Sequence, residues 1–293
     1  MIRTIALVIA LGFTSQAQAQ DEPVLAVQKL SETISVLFGQ GGNIGVSAGP
    51  DGVFIIDDQY EGFGEMIKAA VAGISELPIN YVLNTHWHFD HAGSNEYFGR
   101  NGSVIIGHDN VRKMMASGAF IRVVEADIPP APAEALPVIT FDDSLSLHLN
   151  GEEVYMFHVT PAHTDGDGIV WFKDSNIIHM GDTFLNGIYP LVDIDAAGSI
   201  DGMITTADTV MAFINDETKI IPGHGPIGTK ADLKAYRDMC ITVRDRIVEM
   251  KGRGMSLEEV LSSGFAEDLD ERWNTWGEGW KKTSFRSVYW AVP

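Results

Sequence analysis

The sequence has 293 residues, of which 45% are hydrophobic and 20% charged, and its formal net charge is −20. At roughly 100–200 residues per domain the length allows one large domain or two modest ones, and the composition argues against wholesale disorder. The acidity argues against a nucleic-acid partner, and the one cysteine, Cys240, excludes an intrachain disulfide or a cysteine-based zinc cluster.

The amino terminus carries Arg3, an apolar run at residues 5–13 and the small-residue triplet Ala17-Gln18-Ala19. This is the pattern of a signal peptide over residues 1–19, cleaved after Ala19, and it predicts a periplasmic or secreted protein. The run is too short for a stable membrane anchor, and no later stretch approaches 18 uninterrupted apolar residues. Residues 20–293 are then expected to form one domain with a Trp-rich helical extension at the carboxyl end.

Successive short strands are predicted at residues 34–39, 43–49 and 52–57, separated by Gly41-Gly42 and Pro50-Asp51-Gly52. Helical spacing follows over 61–75, with strands at 79–84 and 103–107. Residues 126–137 hold four of the twelve prolines and read as an ordered surface loop. Further strands are predicted at 144–149, 153–159, 168–173, 176–180 and 219–221, and helices at 202–214 and 230–251. Strands then helix, twice over, fit two face-to-face sheets with helices outside.

Residues 85–91, THWHFDH, directly follow a predicted strand. Three histidines and an aspartate so close together are hard to explain as packing, because burying them without a cation costs several kcal/mol, roughly. Imidazole and carboxylate suit zinc, with iron or manganese as second choices. His163, Asp182 and His224 each lie just past a predicted strand, beside Gly or Pro, where sheets of this kind collect their sites.

H-x-H-x-D-H, then a lone His, then G-D, then G-H-G resembles the metallo-β-lactamase superfamily over about residues 31–228. The resemblance implies a four-layer αββα sandwich with a two-metal site along one edge. It implies that His86, His88 and His163 hold one Zn2+, that Asp90, His91 and His224 hold the other, and that Asp182 bridges them. Asp57 would support the metal loop from behind. The implied chemistry is hydrolysis by water activated between the cations, with Asp90 orienting it and relaying its proton.

His88 stands where flavodiiron oxidoreductases carry Glu, and the bridging Asp182 resembles general hydrolases more than true β-lactamases. A small amide, ester or lactone is the expected substrate, with no nucleic-acid partner and no stable membrane insertion. A true β-lactamase, a mononuclear iron dioxygenase and a binding protein that keeps its metal site are the alternatives. Phe184, Asn186 and Tyr189 follow Asp182 in a loop, which is either plain surface or a substrate contact. His108, His148, His158 and His179 read as structural or exposed. The cluster Trp273, Trp276, Trp280 and Trp290 reads first as the docking face of a terminal helix, with a substrate lid or dimer contact as the alternative, and the acidic run 267–271 as a solvated face.

Overall fold

The computed structural model describes residues 25–293, so the predicted signal peptide lies outside the described residues. A seven-stranded sheet runs in the order Ala26–Lys29, Ile34–Phe38, Ile44–Gly49, Gly52–Ile56, Ile79–Leu83, Val104–His108, Ile139–Phe141. Its first four strands are antiparallel neighbours and the rest pair in parallel. A five-stranded sheet follows as Ser144–Leu149, Glu152–His158, Gly168–Phe172, Ile177–His179, Lys219–Ile221.

The near-continuous apolar runs of the central strands demand cover on both faces, and they receive it. Between the sheets, Phe54, Ile56, Leu83 and Ile106 of the first meet Val154, Met156, Val170 and Phe172 of the second. Phe54 and Phe172 stack with ring centroids 6.0 Å apart. On the outer face of the first sheet, Val46, Ile55 and Val82 pack on Ile67 and Val71 of helix Gly64–Ala72. On the outer face of the second, Ile169, Ile178 and Ile220 pack on helices Ile200–Phe213 and Lys230–Gly252. The longer helix presents Leu233, Tyr236, Cys240, Val243 and Ile247 at spacings of three and four, and a Thr229–Asp232 capping box fixes its start. The result is the αββα sandwich.

Three expectations change in detail. Helix 61–75 is shorter, Gly64–Ala72. Helix 202–214 begins earlier, at Ile200, because the Ser199 hydroxyl accepts from the Gly202 amide. The proline-rich loop begins as a short strand, Ala126–Ile128, paired with Ala119–Ile121, and Pro129 ends it. Among the described residues no helix is long and apolar enough to cross a membrane.

Candidate metal centre

All the strands that feed the centre end at one edge of the sandwich. Asp57 follows strand Gly52–Ile56 with a left-handed backbone (φ 63°), a conformation that costs a non-glycine residue and that its surroundings must hold. It is fully buried and accepts from the Thr85 amide (2.8 Å) and the Thr85 hydroxyl (2.7 Å). The loop 84–88 is thereby fixed from beneath. The paired amides of Asn84 and Asn95, at 3.0 and 2.8 Å, tie it to helix Asn95–Arg100.

Five imidazoles converge on this loop, and their outer partners decide which nitrogen faces inward. The Leu191 carbonyl accepts from His163 Nδ1 (2.8 Å), leaving the Nε2 lone pair inward. Asp57 accepts from His91 Nδ1 (2.7 Å), and Asp193 accepts from His88 Nε2 (2.9 Å), so His88 turns Nδ1 inward. The Thr85 hydroxyl proton goes to Asp57, so its oxygen accepts from His86 Nδ1 at 3.0 Å. Each outer bond fixes a tautomer and a ring orientation, as outer partners of metal-bound histidines do.

Three groups lie close enough to hold an ion: His86, His88 and His163; Asp90, His91 and His224; and Asp57, His86 and His91, in which Asp57 is already engaged by Thr85 and His91 Nδ1. In the first, His88 Nδ1 lies 2.8 Å from His163 Nε2. In the second, His224 Nε2 lies 3.2 Å from both Asp90 Oδ2 and His91 Nε2. Asp182 stands between them, with Oδ2 3.6 Å from His163 Nε2 and Oδ1 3.1 Å from His91 Nε2. Such separations suit ligand atoms around ions with bonds of about 2 Å. His86 Nε2 is buried without a hydrogen-bond partner, an arrangement that a cation resolves. The nitrogen and oxygen donors fit zinc, iron or manganese alike.

The local electrostatics agree with a cation site. Burial, with the other rings nearby, holds His86 well below the ordinary histidine range and His163 at about 4. Burial pushes Asp90 upward, but His91 and His224 outweigh it and leave the carboxyl at about 2. His91 is the exception: burial lowers it, yet Asp182, Asp90 and Asp57 overcome that and raise it well above its usual value. In the absence of a cation its ring takes a proton, which metal binding would displace.

Two glycines permit this density. A side chain at Gly42 would collide with the His91 ring, and one at Gly223 with Asp182 Oδ1.

The predicted substrate contacts are placed otherwise. Phe184 is fully buried against Tyr236, with ring centroids 5.3 Å apart. Tyr189 is also fully buried; its hydroxyl donates to Asp270 (2.8 Å) and its carbonyl accepts from Trp280 Nε1 (3.0 Å). The Asn186 amide donates to the Pro226 carbonyl (2.9 Å), away from the mouth. The loop turns inward because its apolar run, Phe184 to Val192, belongs to the core.

The mouth is instead bounded by Tyr60 and Val124, which the sequence did not single out, and by Trp276 and Trp280 of the cluster expected first as a docking face. Trp276 packs edge-on to His224 at 4.9 Å and to Trp280 at 4.7 Å. The acidic run is not wholly solvated, since Asp270 also takes the Lys281 ammonium. Phe89 lines the mouth, while Trp87 is buried beside Val111 and Leu191. The remaining histidines are structural where buried: His179 bonds the Asn43 carbonyl at 3.0 Å, and His108 stacks on His158 at 3.9 Å.

A sequence model described as the metallo-beta-lactamase superfamily matches residues 39–228. The chain is 25% identical over 154 residues to "Probable metallo-hydrolase YqgX" of Bacillus subtilis (strain 168), covering 50% of this chain and 68% of that protein. It is 27% identical over 181 residues to the hydroxyacylglutathione hydrolase of Methylococcus capsulatus, covering 59% of this chain and 61% of the relative. A solved metallo-beta-lactamase from Pontibacter korlensis superposes with a TM-score of 0.61 at 16% identity, over 74% of this chain and 98% of that one. At that identity the likeness is one of fold.

Proposed function

The chain belongs to the metallo-beta-lactamase superfamily, and from that premise we propose that it is an exported binuclear zinc hydrolase of a small amide, ester or lactone. The observation that carries the reading is the pair of three-ligand groups with Asp182 between them, and His86 Nε2 buried and unpartnered. When bound, two divalent cations supply Lewis acidity, polarising a carbonyl and lowering the pKa of water.

The chain's residues supply the rest. The outer bonds of His86, His88, His91 and His163 hold the rings in place before any substrate arrives, so no reorganisation is needed during reaction. Two carboxylates of the cluster line the mouth, and Asp90, whose side chain is 19% exposed against 6% for Asp182, is the more open. As a carboxylate it is an acceptor that can orient water and carry its proton to the leaving atom. Export rests on the apolar run and Ala17-Gln18-Ala19, and mass analysis of the exported chain should find it starting at Gln20.

The test is elemental analysis of the purified chain alongside hydrolysis of a panel of chromogenic esters, lactones and a cephalosporin. Two zinc ions and turnover on esters or lactones support the proposal. One iron without zinc would turn the reading to a dioxygenase, and preferred turnover of the cephalosporin to a β-lactamase. Asp90→Asn should lose most turnover, whereas a mere binding protein would keep its affinity.

A further inference from the structure

We propose that the mouth of the centre selects uncharged, apolar carbonyl compounds, and that Trp276 and Trp280 are the residues that set this selectivity. The inference rests on the hydrolase reading above and names the substrate class for the same site.

Beyond the candidate metal ligands, the mouth is a carbon surface. Phe89, Ile121, Val124 and Leu191 line a cavity of about 140 Å3 with the two indoles, and a phenol, one amide and the Trp276 N–H are its uncharged polar groups. No lysine or arginine lines it among the described residues. Arg122, between Ile121 and the neighbouring Val123–Val124 pair, is turned away: its guanidinium bonds Asp195 at 3.0 Å and lies 5.8 Å from the Trp290 ring. Trp280 cannot serve an anion either, because its N–H is committed to the Tyr189 carbonyl.

A substrate carrying a carboxylate would therefore lose hydration against this wall and find no charged partner there. An acyl or aryl group would gain contact with rings held in fixed orientation, Trp276 against His224 and Trp280 against Trp276. Trp276 is 45% exposed, so a ligand can cover it. Both tryptophans lie outside the residues that the family model matches.

The experiment uses the zinc-loaded chain and a pair of chromogenic esters matched in size, one uncharged and one bearing a carboxylate. The uncharged ester should be favoured in kcat/KM by about 100-fold. Trp276→Ala should raise its KM by about tenfold with kcat little changed, and leave an acetyl ester within about twofold. Metal content should not move. Val124→Arg, which places a cation on an exposed rim position, should improve the carboxylate ester by about tenfold.

Equal rates for the two esters would overturn the proposal, and so would a Trp276→Ala defect that falls equally on every ester. If neither ester is hydrolysed, the hydrolase reading fails, and binding still judges the wall. An uncharged aryl ketone should quench tryptophan fluorescence in the wild-type chain and less in Trp276→Phe, while its carboxylate analogue should not. Equal quenching by both ketones would overturn the wall's selectivity on its own.

Discussion

Around the cation cluster, buried polar atoms face one another and each outer ring nitrogen of His86, His88, His91 and His163 is bonded to a fixed neighbour. Beside it, with Trp276 against His224, Trp276 and Trp280 offer ring faces and edges, and the chain that carries them docks through Thr275, whose hydroxyl donates to the Gly187 carbonyl at 2.7 Å, and through the Lys281–Asp270 pair. The floor depends on unpaired lone pairs held rigidly for a guest ion. The wall depends on area and packing. Chemistry and selectivity are thus placed in parts of the chain that can fail separately.

The largest break should come from the floor. Asp182→Ala removes the carboxylate shared by both ligand groups, and turnover should fall by about a thousandfold or more, with metal content dropping below that of the wild type. If turnover persists near the wild-type level, Asp182 does not join two ions.

Acid should also strike the floor first. His163 titrates at about 4 in the folded chain because it is buried beside His88, whereas unfolded it titrates near 6.5. Between those values the unfolded chain binds the extra proton. Stability of the metal-free protein should therefore fall as pH drops from about 6.5 to 4, by at most about 3 kcal/mol. His91, raised in the fold, acts in the other direction: its contribution is full below about 6.5 and is lost as pH rises through its folded pKa. Melting curves of the apoprotein taken from about pH 4 to well above 6.5 should show a maximum at about 6.5; a flat profile would contradict both assignments.

Asp57→Ala leaves the Thr85 amide and His91 Nδ1 without their buried partner. Metal affinity should weaken by about 10–100-fold, read by competition with a chelator, while the Trp wall keeps its ligand selectivity. The smallest effect belongs to the wall's footing. Lys281→Met uncouples Asp270 from its ammonium and should cost about 1–2 kcal/mol in chemical denaturation, with metal content unchanged. A loss of metal in that variant would show that floor and wall are not independent.

The floor was legible in the sequence because it is written locally. Four ligand-type residues fall within six positions after a strand, and the others sit beside Gly or Pro at strand ends, so pattern alone brings them to one edge. The strands were legible for the same reason, through apolar runs punctuated by turn residues. The wall was not, because Trp276 reaches His224 through tertiary packing that no spacing announces. Asp193 was missed as the partner of His88 for the same reason, 105 residues away. Phe184 and Tyr189 were misread for a different one. Their proximity to Asp182 suggested the site, while the apolar run from Phe184 to Val192 is the signature of a loop that enters the core.

One short segment serves both sheets. The Leu191 carbonyl orients His163, which follows the second sheet's strand Glu152–His158, and the Asp193 carboxylate orients His88, which follows the first sheet's strand Ile79–Leu83. Leu191 also lines the mouth. An ion gripped by those two rings is therefore also a clasp on residues 191–193, and loading should slow the exchange of their amide hydrogens. The protein's metal content would then tune the shape of its own entrance, so that a half-loaded molecule differs from a full one in what it admits as well as in how fast it works.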